Sequence, residues 1–208
     1  MKRRLGQRKV GVVLFCAIAV VAFTGLTGVA FASDEATLTV SGSDLAIGNV
    51  LVGDFSAVKL DGSGGAGAKS TDATFGLFNV TDPTGTGAGW KVTMSASQFT
   101  EVEPSGTAHT LPVGIMYLQD MADPTWVFGS KTLPTIAATL DGDGEQVAVD
   151  EGTVQVASAA ASETTAAFDG AGMGKYEFKA GEFELSVPAG SFAATYTSTL
   201  TVSLTSGP

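Results

Sequence analysis

Alternation of apolar and polar residues with a period of two is the feature that most constrains this fold. In the stretch TYTSTLTVSL, residues 195–204, a mostly apolar row alternates with an unbroken row of hydroxyl-bearing residues. A period of two places the two rows on opposite faces of an extended strand. Ser198 interrupts the apolar row and is expected at a rim or bulge, or bonded to a backbone group. The remaining members of that row are predicted to face the core: Tyr196, Leu200, Val202 and Leu204.

Short runs of this kind recur along the chain, separated by segments rich in glycine, aspartate and serine. These segments include DGSGGAGAKS, TDPTGTGAG, DGDGE and DGAGMG, which are compositions typical of turns and loops. A short helix is considered only for VASAAASETTAAF, residues 156–168. Short strands between such turns predict an all-β fold, an antiparallel β-sandwich with Greek-key-like connections. The predicted strands are residues 36–40, 45–52, 56–60, 74–80, 90–97, 111–119, 153–158, 182–188 and 195–204.

The N-terminal segment has the composition of a secretory signal peptide. Five basic residues within residues 1–9 precede an apolar run over 10–23, and Ala30-Phe31-Ala32 precedes Ser33. Small residues at the third and first positions before a cleavage site are typical of such leaders. We therefore predict a signal peptide at 1–32, removed on export, and a single domain at 33–208. The alternative is an uncleaved anchor, because the stretch 10–32 is long enough to span a bilayer.

The charge that remains after cleavage excludes two classes of partner. The leader holds five of the 11 lysines and arginines and none of the 21 acidic residues, which leaves six lysines and a net charge of −15. A field of this sign repels nucleic acid and anionic lipid, so we expect no nucleic-acid partner and no membrane partner after cleavage. Cys16, the one cysteine, lies in the leader, so the domain is predicted to fold without disulfides.

The remaining residues offer little for catalysis. His109 is the sole histidine and lies in the loop-like PSGTAHTLP, so any serine–histidine pair would depend on it. Glu101 and Glu103 would point the same way from an extended run, as the carboxylate pair of a glycosidase does. Neighbouring acids are expected by chance in a chain this acidic. We therefore predict no enzyme and no catalytic residue.

The segment DGDGE is the one candidate metal site. Its acidic residues Asp141, Asp143 and Glu145 alternate with glycines, and carboxylate oxygens suit Ca²⁺. The acid that closes a twelve-residue EF-hand loop is absent, and the residues that follow, 146–149, are those of a strand. An acidic turn is the favoured interpretation. No cofactor is predicted, and Ca²⁺ is kept as the alternative.

Three segments share their order and spacing with one known family. They are GWKVTMSASQF (89–99), GMGKYEF (172–178) and FELSVPAGSFAATYTSTLTVSLTSGP (183–208), of which VPAGSFAATYTSTLTVSL is the most specific. Together they resemble the WxL domain of exported surface proteins of Gram-positive bacteria. The first Trp-x-Leu motif of that family corresponds to Trp90-Lys91-Val92, and the second to Val202-Ser203-Leu204, where the tryptophan is absent. The resemblance implies an antiparallel β-sandwich, with Trp90, Val92, Val202 and Leu204 as candidate binding residues.

The resemblance also implies a function. It implies a secreted, non-catalytic protein of the cell wall and cell surface that binds peptidoglycan non-covalently and associates with partner surface proteins. Alternation places all four motif residues on the inward sides of their strands, so a core role is the alternative to ligand contact. The other functional hypothesis is a structural subunit of an extracellular fibre or matrix that assembles by edge-strand addition through the long C-terminal strand. A hydrolase of wall polymers is a third hypothesis. The small number of candidate catalytic residues in the sequence argues against it.

Overall fold

The structure is a computed structural model of the 208-residue chain. It describes residues 38–48, 50–60, 68–119, 121–137, 146–161, 172–179 and 181–207. The chain divides into two compact units, Met1–Thr39 and Val40–Pro208, and nearly all described residues belong to the second. The predicted signal peptide lies outside the described residues. Within the described ranges, no helix has the length and apolar character needed to span a bilayer.

The secondary structure of the described residues consists of strands. In chain order these are β1 (Ala46–Gly48), β2 (Lys69–Phe75), β3 (Phe78–Asp82), β4 (Trp90–Ala96), β5 (Thr100–Glu101), β6 (Met116–Leu118), β7 (Thr125–Gly129), β8 (Thr135–Ile136), β9 (Val147–Ala148), β10 (Val154–Ala159), β11 (Gly174–Phe178), β12 (Gly181–Val187), β13 (Tyr196–Thr197) and β14 (Leu200–Ser206).

The first of two long antiparallel ladders runs β2 and β3 against β12 and β11. Its register is the same on both sides of the break at residues 76–77, because Phe75 lies opposite Gly181 and Phe78 lies opposite Phe178. The sheets ordered β1-β3-β11-β7 and β2-β12-β6-β9 are therefore two halves of one bent sheet.

The second ladder runs β4 and β5 against β14 and β13, and β10 and β8 extend it beyond β4. Leu200 lies opposite Ala96 and Thr197 lies opposite Thr100, so residues 97–99 face only residues 198–199. This is a bulge, which bends the ladder. The Ser198 hydroxyl donates a hydrogen bond to the Ser97 carbonyl there. Ser198 thus lies at the bulge and bonds to the backbone, and the predicted closing strand is two strands.

Both bent sheets contribute to one hydrophobic core, and the chain passes between them repeatedly. Phe78 and Phe178 stack across the first ladder with ring centroids 4.6 Å apart. On β14, Leu200, Val202 and Leu204 pack against the core from the sheet edge, while the intervening threonines and serine are exposed. The predicted all-β, antiparallel β-sandwich is confirmed, as is the alternation of the closing segment.

Several predicted element boundaries were wrong. Residues 56–60 are not a strand, because the segment follows the edge of β2 through single contacts such as the Thr71 hydroxyl to the Ser56 carbonyl. Of the predicted strand 36–40, residues 38–40 are not a strand, since no described strand pairs with them, and residues 36–37 lie outside the described residues. The predicted strand 74–80 is divided between β2 and β3, that at 111–119 shortens to β6, and that at 45–52 shortens to β1 with a single bridge at Val52. Residues 156–159 belong to β10, paired with β4, and the remainder of the proposed helix, from 162 on, lies outside the described residues.

Candidate functional site

The four motif positions lie together on the β4–β14 ladder. Trp90 and Val92 are fully buried on β4, and Val202 and Leu204 are half-buried on β14. Leu204 lies directly opposite Val92, and Val202 lies opposite Met94. The four side chains therefore pack at one edge of the core, and Trp90 presents no exposed ring face to a ligand.

Trp90 connects two of the segments that carry the family resemblance. Its indole N–H donates a hydrogen bond of 3.0 Å to the Gly172 carbonyl, and its ring packs edge-on against Phe178 with centroids 6.2 Å apart. Gly172 has a φ of +82°, and a Cβ there would lie 2.8 Å from Trp90 Nε1 and would also overlap the Cβ of Ala159. Only glycine fits at this position without strain. The packing of the buried Trp90 indole therefore requires Gly172.

A groove of about 1000 Å³ lies between residues 52–60 and residues 191–198. This β2–β13 groove has buried side chains as its floor, among them Phe99, Met116 and Leu185. One wall is the irregular segment along β2, and the other is the connection from β12 together with β13. The second wall falls within VPAGSFAATYTSTLTVSL, the stretch with the most specific family resemblance.

The lining of the β2–β13 groove combines aromatic rings with hydroxyl groups. Phe192 is 62% exposed, Tyr196 is half-buried, and Phe55 packs edge-to-face on Phe99 with centroids 5.9 Å apart. Asp54 and Lys59 add one charge of each sign. Rings can stack on the apolar faces of sugars, while hydroxyl groups donate to and accept from sugar hydroxyls. The serine and threonine residues of the lining are Ser56, Thr71, Ser191, Thr195, Thr197 and Ser198.

His109 holds Phe192 in place. The two rings stack with centroids 3.9 Å apart and planes inclined by 24°. His109 Nδ1 lies 2.6 Å from Glu101 Oε2, which also accepts the His109 backbone N–H at 3.0 Å. Because a carboxylate only accepts, Nδ1 carries the hydrogen. Glu101 therefore orients the imidazole on which Phe192 rests, leaving the other face of Phe192 to the solvent.

The same contacts change two pKa values beside the groove. Hydrogen bonds from the His109 backbone and then from its ring lower the pKa of Glu101, because they favour the ionised carboxylate. Burial raises the pKa of Tyr196, and the nearby Glu101 carboxylate raises it further. Glu101 is thus ionised and Tyr196 neutral at neutral pH.

We expect Glu101→Gln to remove a stabilisation that depends on pH. A lowered folded-state pKa means that the carboxylate stabilises the fold above its unfolded pKa of about 4.3, and that this is lost as pH falls through the folded value. Urea unfolding should show wild type more stable than Glu101→Gln at pH 7, and the difference should shrink at about pH 3. The control variant Glu103→Gln removes the same charge two residues away. An equal difference at both pH values would contradict the assignment.

The candidate catalytic residues that the structure describes, His109, Glu101 and Glu103, are not assembled into a reactive site. Among the described residues, the side chain of His109 contacts Glu101 and Phe192 and no serine hydroxyl. The run from Glu101 to Glu103 is not extended as expected, because β5 ends at Glu101 and Glu103 has a φ of +54°. No three acidic or histidine side chains in the described ranges are grouped to hold a metal ion. Asp141, Asp143 and Glu145 lie outside the described residues, so their role with Ca²⁺ stays a prediction.

Sequence reasoning missed the β2–β13 groove. Its two walls are more than 130 residues apart in the chain, and no local pattern indicates that they become neighbours. The one available signal was Phe192, an aromatic residue within the turn-rich PAGSFAAT. That signal identifies an exposed ring and does not identify what lies opposite it.

Comparison with protein families gives one match over most of the chain. A family model described as WxL domain, surface cell wall-binding, matches residues 54–208. The matched range includes both Trp-x-Leu positions, the wall of the groove at 191–198 and most of the wall at 52–60. Comparisons with curated proteins and with solved structures find no match.

Proposed function

Because the chain belongs to the WxL family of surface cell-wall-binding domains, we propose that it is a secreted, non-catalytic protein that attaches non-covalently to peptidoglycan through the β2–β13 groove. The observation that carries the proposal is the exposed Phe192 ring, which is held by His109 at the edge of a hydroxyl-lined groove. Residues 191–198, which form that edge, belong to the segment that most resembles the family.

The chemistry of the groove favours a glycan strand over the other wall polymers. The chain has a formal net charge of −10, and −15 if the predicted leader is removed. A charge of this sign repels anionic wall polymers, whereas the sugar backbone of peptidoglycan offers hydroxyl and amide groups without a dense charge. Stacking on Phe192 and hydrogen bonds from the groove hydroxyls together fit such a strand.

In this proposal the Trp-x-Leu positions act on binding through the fold. Trp90 and Val92 are buried and pair with β14, and the bulge at Ser198 directs the chain between β13 and β14. The motif residues therefore support the groove wall indirectly, through the packing of β4 and β14, and do not contact the ligand themselves.

The proposal predicts that Phe192→Ala weakens binding to isolated cell walls. Loss of the exposed stacking ring is expected to raise the apparent Kd by about tenfold or more. Phe128→Ala is the matched control, because Phe128 is 53% exposed on β7 and is not part of the groove. Both variants should keep the wild-type melting temperature, and binding is measured by co-sedimentation with walls. Equal binding by Phe192→Ala and Phe128→Ala would refute the groove as the site.

A second comparison separates direct attachment from attachment through partner surface proteins. Purified peptidoglycan and walls that retain their proteins are incubated with the chain in parallel. Direct recognition predicts comparable binding to both, and Phe192→Ala should lower both. Binding only to protein-bearing walls would replace the glycan with a surface protein as the partner.

A further inference from the structure

A five-residue sequence occurs twice in this chain. Residues 37–41 and residues 199–203 both read TLTVS. The second occurrence lies at the start of β14, where its apolar residues pack against the core. In the first, Leu38 and Val40 are each 86% exposed and belong to no strand. The chain thus carries a second copy of its edge-strand sequence with its apolar side chains in solvent.

β14 has one side that no described strand covers. It lies at the end of the order β14-β4-β10-β8. The Gly207 N–H bonds to the Gly89 carbonyl, and the Ser97 N–H bonds to the Thr199 carbonyl. Hydrogen-bonded and non-hydrogen-bonded pairs alternate along an antiparallel ladder. Since residues 199 and 207 bond toward β4, residues 201, 203 and 205 also direct their backbone N–H and C=O groups toward β4. Leu200, Val202 and Leu204 therefore direct theirs outward, where no described residue bonds to them.

The β14 edge also lacks the features that usually protect such an edge. Its seven residues, LTVSLTS, include no charged residue and no proline. Unprotected edges of this length are templates for pairing with another strand. β7, the edge of the other bent sheet, differs, since the Trp126 indole N–H donates to the Gly129 carbonyl at 3.3 Å and Lys131 lies over the ring. Trp126 covers part of its own edge, whereas no described side chain covers the β14 edge in this way.

We propose that residues 38–41 of one copy of this chain add as a strand to the free edge of β14 in a second copy. A strand in this position would continue the sheet, with Leu38 and Val40 extending the apolar row and Thr39 and Ser41 extending the hydroxyl row. Neither segment carries a charge, so the paired residues themselves add no charge repulsion between two acidic chains. Because donor and acceptor are different surfaces, the contact is heterologous and can continue from copy to copy.

Disulfide trapping between two singly substituted chains tests the contact. In a Cys16→Ser background, a tagged Thr39→Cys chain is mixed with an untagged Ser203→Cys chain and oxidised. Facing side chains on neighbouring strands have Cβ atoms about 4.5–5.5 Å apart, which is near the range that a disulfide bridges. A covalent heterodimer is expected with Ser203→Cys. The matched control is Thr125→Cys on the β7 edge, and an equal yield with it would overturn the proposal.

A double variant distinguishes neighbouring copies from a single chain. Thr39→Cys and Ser203→Cys in one molecule should give disulfide-linked oligomers that grow with protein concentration. A monomer with an internal disulfide at all concentrations would instead show that each chain covers its own edge, which overturns the assembly between copies.

Edge-blocking variants provide a test without cross-linking. Val202→Pro removes an outward N–H and leaves the hydrogen bonds to β4 intact, so the fold is expected to remain. Leu38→Asp places a charge in the added apolar row, and Thr39→Asp is its control on the hydroxyl row. Sedimentation should show loss of oligomers for Val202→Pro and Leu38→Asp and not for Thr39→Asp. If Val202→Pro does not fold, Leu38→Asp is the deciding variant. Unchanged oligomers in Leu38→Asp would refute the proposal. Phe192→Ala should assemble normally, so this test is independent of wall binding.

Discussion

Replacing Trp90 by alanine is expected to lower the free energy of unfolding by about 3–5 kcal/mol, the usual range for truncating a buried aromatic side chain. The indole is fully buried, packs against Tyr176 and Phe178, and donates a hydrogen bond to the Gly172 carbonyl. Removing it leaves a cavity and an unpaired buried carbonyl. Urea or thermal unfolding of the purified chain measures the loss.

Two further variants divide this effect into its parts. Trp90→Phe keeps a ring but leaves the Gly172 carbonyl without its donor, which costs about 1–3 kcal/mol. Trp126→Ala, at a side chain that is 42% exposed, should change stability by about 1 kcal/mol or less. Wall binding per folded molecule should be unchanged in Trp90→Phe. A stable Trp90→Phe protein that no longer binds walls would show that the indole contacts the ligand after all.

Alternation predicted the parts of the fold in which a strand has one buried and one exposed face. β4 and β14 follow it residue by residue, since Val92 and Met94 are buried between half-exposed neighbours. β7 was missed because TWVFG is a short run with no alternation, and all five of its residues are exposed. The break between β2 and β3 was missed because both sides of residues 76–77 are apolar.

Contacts distant in sequence explain why the candidate site could not be predicted in the same way. Trp90 was assigned an inward orientation correctly, but its hydrogen bond joins residues 82 positions apart. The groove depends on irregular segments that meet only in the folded chain. The stacking of Phe192 on His109 likewise joins two loops with no local pattern. Periodicity identifies which face a strand buries, and it carries no information on which loops become neighbours.

Gly172→Ala is expected to be about as damaging as the loss of Trp90, at about 2–5 kcal/mol. The left-handed φ of +82° costs a residue with a Cβ about 1–2 kcal/mol. The new Cβ would also press on Trp90 Nε1 and on the Cβ of Ala159, and overpacking of this kind costs about 1–3 kcal/mol. Gly152→Ala is the matched control, because its Cβ would have no heavy atom within 4 Å. It should stay within about 0.5 kcal/mol of wild type.

A double-mutant cycle with Ala159→Gly separates the two causes of the Gly172→Ala effect. Deleting the Ala159 methyl group removes one of the two overlaps, so Gly172→Ala should cost less in that background while the penalty for its φ persists. The recovered part is expected to be about 1–2 kcal/mol and is measured by urea unfolding of all four proteins. If Gly172→Ala were as stable as Gly152→Ala, position 172 beside the Trp90 indole would not need glycine. Trp90 would then be held by its ring contacts alone, and the glycines of GMGKYEF would need a different explanation from the packing of the indole.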